Sequence, residues 1–296
     1  MSSSDAFFSY RSIGKCLSQG ISFLTDHFWR VLWVSWPVAV PLAVVLAAQV
    51  FRSCYLHFIV SPTADVLAGM ALSVLTLLAL AAYTGYIYRL IVRHRDGLPI
   101  EGVRVRNVYD RCFWKLSLKA LTVSVVEVVI VGLIVAVGWG LDRWLLASRP
   151  AFFHWVLGAL VALVIVVVAC PINMCLPSCA LVEGKWFARL WAGFRMGCGR
   201  WAKVFSLWIL TGIISGVVCG LLLLPAVVIA FSQMQATQSE LAGDAVNLPF
   251  GFAFYAFLIL LVSMLIASLL IWVQTVPQSY LFASLHGSQE TAAATA

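Results

Sequence analysis

The sequence predicts an all-α polytopic membrane protein: six transmembrane helices in three interfacial-helix-plus-hairpin repeats. Three observations predict this fold. The chain of 296 residues is 62% hydrophobic and 10% charged, with a mean hydropathy of +0.99. Average soluble domains carry about 25% charged residues, and a soluble chain of this length has no interior large enough for so much apolar surface, so lipid is its solvent. Six apolar runs, near 31–51, 66–92, 117–141, 153–181, 204–231 and 250–282, are each long enough to cross about 30 Å of hydrocarbon at 1.5 Å per residue. Finally, a basic aromatic junction recurs every 85 to 87 residues: His27-Phe28-Trp29-Arg30, Cys112-Phe113-Trp114-Lys115 and Gly199-Arg200-Trp201-Ala202-Lys203. A repeat at fixed spacing defines an architecture before any single residue does.

The repeats cover about 5–92, 100–182 and 183–283 of a single integral membrane domain, 1–286, and the Ser/Thr/Ala-rich stretch 287–296 reads as a disordered tail. Each repeat opens on an amphipathic stretch with helical spacing. In the first, Ile13, Leu17, Ile21, Leu24 and Phe28 share a face. In the second, Val105, Val108, Tyr109, Cys112, Phe113 and Leu116 do. In the third, Phe187, Leu190, Trp191, Phe194, Cys198 and Trp201 do. Such helices lie in the headgroup layer, with their basic side toward anionic lipid of the cytosolic leaflet. The hairpin loops, about 52–65, 142–152 and 232–249, have no room for a domain of their own.

Orientation follows from the cations. Sixteen of the nineteen Lys and Arg residues fall on one side of the six-span arrangement, and only Arg52, Arg143 and Arg149 fall opposite. The positive-inside rule places both termini in the cytosol. The same placement explains the net charge of +7 without nucleic acid as a partner, because the charges flank apolar runs and form no soluble basic patch. No cleavable leader is visible ahead of the first span.

The stretch Leu176-Pro177-Ser178-Cys179-Ala180-Leu181-Val182-Glu183-Gly184, followed by the basic aromatic segment Trp186–Lys203, resembles a group of bacterial six-helix inner-membrane proteins. That group includes the membrane domain of some glycerophosphodiester phosphodiesterases. The layout of most of the chain is similar, while the motif itself covers about 25 residues. The soluble catalytic domain of the phosphodiesterase members is absent from this sequence. The resemblance therefore implies a fold and a bacterial cytoplasmic (inner) membrane, and no activity.

Few residues could carry chemistry. Glu127 sits well inside the third apolar run, where an ionisable side chain costs about 2.5 to 3.5 kcal/mol on insertion scales and faces the bundle interior. It reads either as a proton or cation site on a transport path or as a carboxyl that locks helices together. Asn173 and Gln274, at similar depth, and Ser124, one turn away, are its candidate partners. Pro37, Pro41, Pro171, Pro177 and Pro277 all fall in the cytosolic half and are candidate kinks. Kinks at one depth would open a cytosol-facing vestibule, although proline is also common in membrane helices.

Cys170, Met174, Cys175 and Cys179 form a sulfur-rich run in the fourth span. Soft ligands suit Cu(I), but no second soft cluster or histidine pair supports it, so cysteine reads as a small packing residue and no metal is expected. His57 and His154 fall at the outer ends, where they could meet. No phosphate-binding glycine loop, nucleophile elbow or paired carboxylates appear. Neither catalytic residue nor cofactor is therefore expected. The leading functional reading is a non-enzymatic accessory or scaffold subunit of a membrane assembly, with membrane lipids and a membrane-protein partner. The alternative is a small proton-coupled or lipid/solute transporter using Glu127. An intramembrane lipid enzyme is the third reading, and no acid–base pair can be assembled for it.

Overall fold

The structure, a computed structural model, describes residues 7–9, 11–54, 62–98, 110–145, 151–241 and 251–295. Among these there is helix and no strand. The helices are α1 (Ile13–Cys54), α2 (Pro62–Arg95), α3 (Arg111–Leu145), α4 (Ala151–Ile172), α5 (Cys175–Leu181), α6 (Trp186–Gly199), α7 (Trp201–Leu222), α8 (Leu224–Leu241) and α9 (Phe252–Thr295). Six segments are long and apolar enough to cross a membrane: α1, α2, α3, the α4–α5 pair, α7 and α9. The protein is a multi-pass integral membrane protein with six such helices.

Spanning helices pack in chain order and the ring closes: α1 on α2, α2 on α3, α3 on α4, α4 on α7, α7 on α9, and α9 back on α1. Both ends of the chain meet at one end of the bundle, where the Arg11 amide donates to Ser284 Oγ at 2.7 Å. This is called the terminal end below. Leucine, valine and tryptophan side chains cover the outside, with Trp144 83% and Leu163 58% exposed, the inverse of a soluble fold and a consequence of lipid as solvent.

The core lies toward the terminal end, around the last turns of α2. Tyr83, Tyr86, Ile87, Tyr88, Arg89, Leu90 and Ile91 are all buried there, packed with Leu42, Phe113, Trp272 and Phe282 from α1, α3 and α9. Buried tyrosines need partners for their hydroxyls. Tyr86 Oη donates to the Val34 carbonyl at 2.7 Å, and Tyr83 Oη accepts from Trp272 Nε1 at 2.8 Å. Arg89 ion-pairs with Asp110, whose other carboxylate oxygen accepts the Phe113 amide at 2.8 Å and so caps the start of α3. Tyr83→Phe strands the Trp272 indole N–H in this core. The expected loss is about 1 to 2 kcal/mol, read as a lower unfolding midpoint in detergent.

Among the described residues the first and third units differ, and the expected repeat of interfacial helix plus hairpin is not confirmed. In the first, no elbow separates the amphipathic stretch from the span: α1 is one helix of 42 residues, about 60 Å long. Its buried stripe is Cys16, Gly20 and Phe23, while Ile21 and Phe28 are exposed. The stripe is rotated because it faces the equally long α9, of 44 residues, and not a lipid surface. At the closest approach, a Cβ on Gly20 would lie 2.5 Å from Pro277 Cγ, so the proline ring occupies the place of a side chain. Of the second amphipathic stretch, Val105, Val108 and Tyr109 lie outside the described residues. Among the described residues the third unit has a separate amphipathic helix, α6, which ends at Arg200 (φ −127°, ψ 31°).

Two further expectations change. The loop expected at 232–249 is helical to Leu241, with 242–250 outside the described residues. The stretch 287–296, expected to be disordered, continues α9 to Thr295. Docking of Ser284 on Arg11 and of the His286 ring on Phe8 (centroids 5.7 Å) holds the helix just before it. An alanine-rich continuation then extends an existing helix without a new nucleation step.

At the opposite end, Arg52 is explained by Asp65: Nη1 meets Oδ1 at 2.6 Å and ties α1 to α2. His154 Nδ1 meets Asp142 Oδ1 at 2.6 Å and ties α3 to α4. His57, suggested as a partner of His154, lies outside the described residues.

Candidate functional site

The fourth span breaks, and the reason is local. Pro171 and Pro177 have no N–H, so neither the Val167 nor the Asn173 carbonyl receives its helical partner. The chain turns at Asn173 and Met174, with the Met174 amide bonded to the Pro171 carbonyl at 3.1 Å, and α5 starts at Cys175. The Val167 carbonyl is taken by Trp201 Nε1 at 3.3 Å, and Asn173 Nδ2 bonds the Ala169 carbonyl at 3.0 Å. Lys119 Nζ donates to the Cys179 carbonyl at 2.6 Å, and Arg95 Nη1 donates to the Leu181 carbonyl. Two cations thus cap the end of α5, the favourable sign for a helix C-terminus.

The α6 helix clamps this break from outside. A Cβ on Gly193 would lie 2.6 Å from the Met174 carbonyl oxygen, and one on Gly197 would lie 2.7 Å from Pro171 Cα. Backbone against backbone at that distance admits only glycine. Ser178 Oγ donates to the Arg189 carbonyl at 2.8 Å and completes the joint. The glycine side of α6 faces the bundle, and Phe187 and Trp191 point outward, 71% and 59% exposed.

Beside the break lies a chamber of about 230 Å³. It brings together the polar residues that the sequence singled out. Glu127 and Ser124 come from α3, Asn173 from the α4–α5 break, and Gln274 from α9. Thr84 and Tyr88 of α2 and Thr275 and Gln278 of α9 complete the polar wall. Val123, Ile172 and Cys175 form an apolar cluster alongside. Glu127 stands near the middle of α3 and is half-buried. Among the described residues its carboxyl makes no hydrogen bond or ion pair. Thr84 Oγ1 is held by the Leu80 carbonyl at 2.9 Å. Gln278 is 7% exposed, and its Nε2 has no hydrogen-bond partner. Sequence reasoning missed Gln278, although Gln274 and Gln278 are four apart on an otherwise apolar helix, which is one face.

The prolines divide. Pro171 and Pro177 flank the break, and Pro277 lies between Gln274 and Gln278. Pro37 and Pro41 sit in an unbroken α1 and line no part of the chamber. The clustering of all five at one opening is therefore corrected: a single break, in the fourth span, shapes the chamber. A larger cavity of about 590 Å³ opens at the terminal end, lined by Arg11, Asp26, His27, His94 and Tyr280 among others. Tyr280 follows Gln278 on α9, and His94 follows Tyr88 on α2 by six residues, about 9 Å along the helix. Among the described residues, no three His, Cys, Asp or Glu side chains come together as metal ligands.

No protein-family model matches the chain. No curated protein and no solved structure matches it either.

Proposed function

We propose that this protein is a small solute transporter of the bacterial inner membrane, with Glu127 at its binding site and its termini in the cytosol. One observation carries the reading: an acid and three amides from three different spans, Glu127, Asn173, Gln274 and Gln278, line one chamber at a helix break. Broken helices beside polar groups at mid-membrane are a transporter device, because irregular backbone is tolerated only where it lines a cavity or is covered by protein. Among the described residues the lining supplies hydroxyls and one carboxyl but no Lys, Arg or His to complete an acid–base pair, and we read it as non-enzymatic. The cavity around His27 and His94 is the cytosolic approach.

Anionic lipid is the partner of α6, whose exposed Trp191, Arg195 and Arg200 border a groove of about 530 Å³. The cations at the terminal end, among them Arg11, Arg93, Arg95, Arg189 and Lys203, support its cytosolic orientation.

The test is solute-jump electrometry on proteoliposomes, with cationic, zwitterionic, neutral and anionic small solutes. A current that requires the protein and saturates with one solute class is expected. Currents equal to those of protein-free vesicles for every class would return the weight to the scaffold reading.

A further inference from the structure

The hydrogen-bonding inventory of the chamber names the class of its solute. Among the described lining residues there is no Lys, Arg or His, and Glu127 is the only charged group. An anion would meet a carboxylate with no cation to offset it. Thr84 Oγ1 is committed to the Leu80 carbonyl and Asn173 Nδ2 to the Ala169 carbonyl. The wall therefore keeps acceptors for a ligand at the Glu127 carboxylate and Asn173 Oδ1, and Ser124, Gln274 and Thr275 add polar groups that can accept or donate. It keeps a donor at Gln278, nine-tenths buried with Nε2 unpartnered. A bare metal cation satisfies the acceptors but leaves the Gln278 N–H without a partner. A simple alkylammonium leaves that N–H orphaned, a penalty of the size of a lost hydrogen bond. A molecule with a cationic donor at one end and an acceptor at the other satisfies all three.

Size narrows the class. A volume of about 230 Å³ is about seven or eight times the share of one water in the liquid, about 30 Å³. That is room for a solute of about seven or eight non-hydrogen atoms. Quaternary ammonium compounds are excluded on two grounds: they lack N–H donors, and they are bound by aromatic faces, of which the wall offers only Tyr88.

We propose that the chamber binds a small primary ammonium solute that also bears a hydrogen-bond acceptor, with the simplest amino alcohol, ethanolamine, as its probe. The ammonium donates to Glu127 and Asn173 Oδ1, and the hydroxyl oxygen accepts from Gln278 Nε2. This assignment rests on the transporter reading of the same chamber and specifies what it carries.

The test is thermal unfolding of the detergent-solubilised full chain, titrated with ethanolamine hydrochloride. Ethylamine hydrochloride, tetramethylammonium chloride, sodium chloride, glycerol and sodium propionate serve as comparisons at equal ionic strength. Ethanolamine is expected to raise the midpoint saturably, by about 4 °C at ten times its half-saturating concentration. Ethylamine should need at least about fivefold more for the same shift, since it lacks one hydrogen bond. Tetramethylammonium, sodium chloride, glycerol and propionate should give none. Glu127→Gln should remove the ammonium response, and Gln278→Leu should keep it while making ethanolamine and ethylamine equal.

Should Glu127→Gln fail to fold, Glu127→Asp is expected to raise half-saturation about tenfold, and an unchanged value overturns the proposal. An equal response to ethanolamine and ethylamine in the unsubstituted protein also overturns it. So does a shift with ethanolamine that survives both substitutions at Glu127. A Glu127-dependent response to glycerol or propionate would overturn the solute class and leave the transporter reading standing. Absence of any Glu127-dependent response would remove both.

Discussion

Glu127→Gln is expected to abolish solute-driven current, by at least about tenfold, while the folded yield and unfolding midpoint hold or rise. The two halves of this result have separate causes. Glutamine keeps the shape and polarity of the side chain and deletes only its charge. The lost interaction is a charge-assisted hydrogen bond to the solute, of about 1.5 to 3 kcal/mol, or about 10- to 100-fold in affinity. Stability is spared because, among the described residues, the carboxyl has no partner to orphan, and a neutral amide in mid-membrane is cheaper than an ionisable group. The helix-locking reading makes the opposite prediction: a carboxyl that bonds neighbouring helices would lower the midpoint by about 1 to 3 kcal/mol when replaced. Parallel measurement of current and midpoint on one purified sample separates the two.

Gly193→Leu is expected to have the largest effect on stability. The added Cβ would lie 2.6 Å from the Met174 carbonyl oxygen, 2.8 Å from Cys175 Cα and 2.9 Å from Ser178 Cβ. Two of these are backbone atoms that cannot rotate away, so α6 must lift off the break. With it go the Ser178–Arg189 hydrogen bond at 2.8 Å and the Cys175 Sγ contact with the Leu190 carbonyl at 3.5 Å. Overpacking of this kind costs about 1 to 3 kcal/mol or more, a fall of roughly 4 to 10 °C in the midpoint. Gly216→Leu is the control: nothing lies within 4 Å of a Cβ there, and it should change the midpoint by less than about 1 °C. Because the same break carries Asn173, Gly193→Leu should also weaken solute-driven current in whatever fraction remains folded.

Span number, span position and the membrane class were legible in the sequence, because lipid forces every crossing into a long apolar helix and leaves no alternative. The placement of Glu127, Asn173 and Gln274 at one depth was legible for the same reason: rise per residue turns sequence position into depth. Helix rotation was not legible. Apolar residues on α1 and α6 face both lipid and protein, so hydrophobicity does not say which side packs. That decision falls to small residues: Gly20 against Pro277, and Gly193 and Gly197 against the break.

Nor does a proline announce whether its helix bends or breaks. Pro171 ends α4 where Pro177 follows within two turns and Trp201 is placed to take the freed Val167 carbonyl. Pro37 leaves α1 continuous, with Tyr86 bonded to the adjacent Val34 carbonyl. These partners are 34 and 52 residues away in the chain and are set by the tertiary fold. Gln278 was hidden because one polar residue beside a proline in an apolar helix is unremarkable until its neighbours from α2 and α3 are in place.

The most direct measurement is a cryo-electron microscopy map of the full chain in lipid nanodiscs with saturating ethanolamine, at a resolution that shows side chains. The account predicts a break at Asn173–Met174 and a chamber holding density between the Glu127 carboxylate and the Gln278 amide. A continuous fourth span, with Glu127 turned to lipid or packed directly onto Gln274 with no space between, would contradict it.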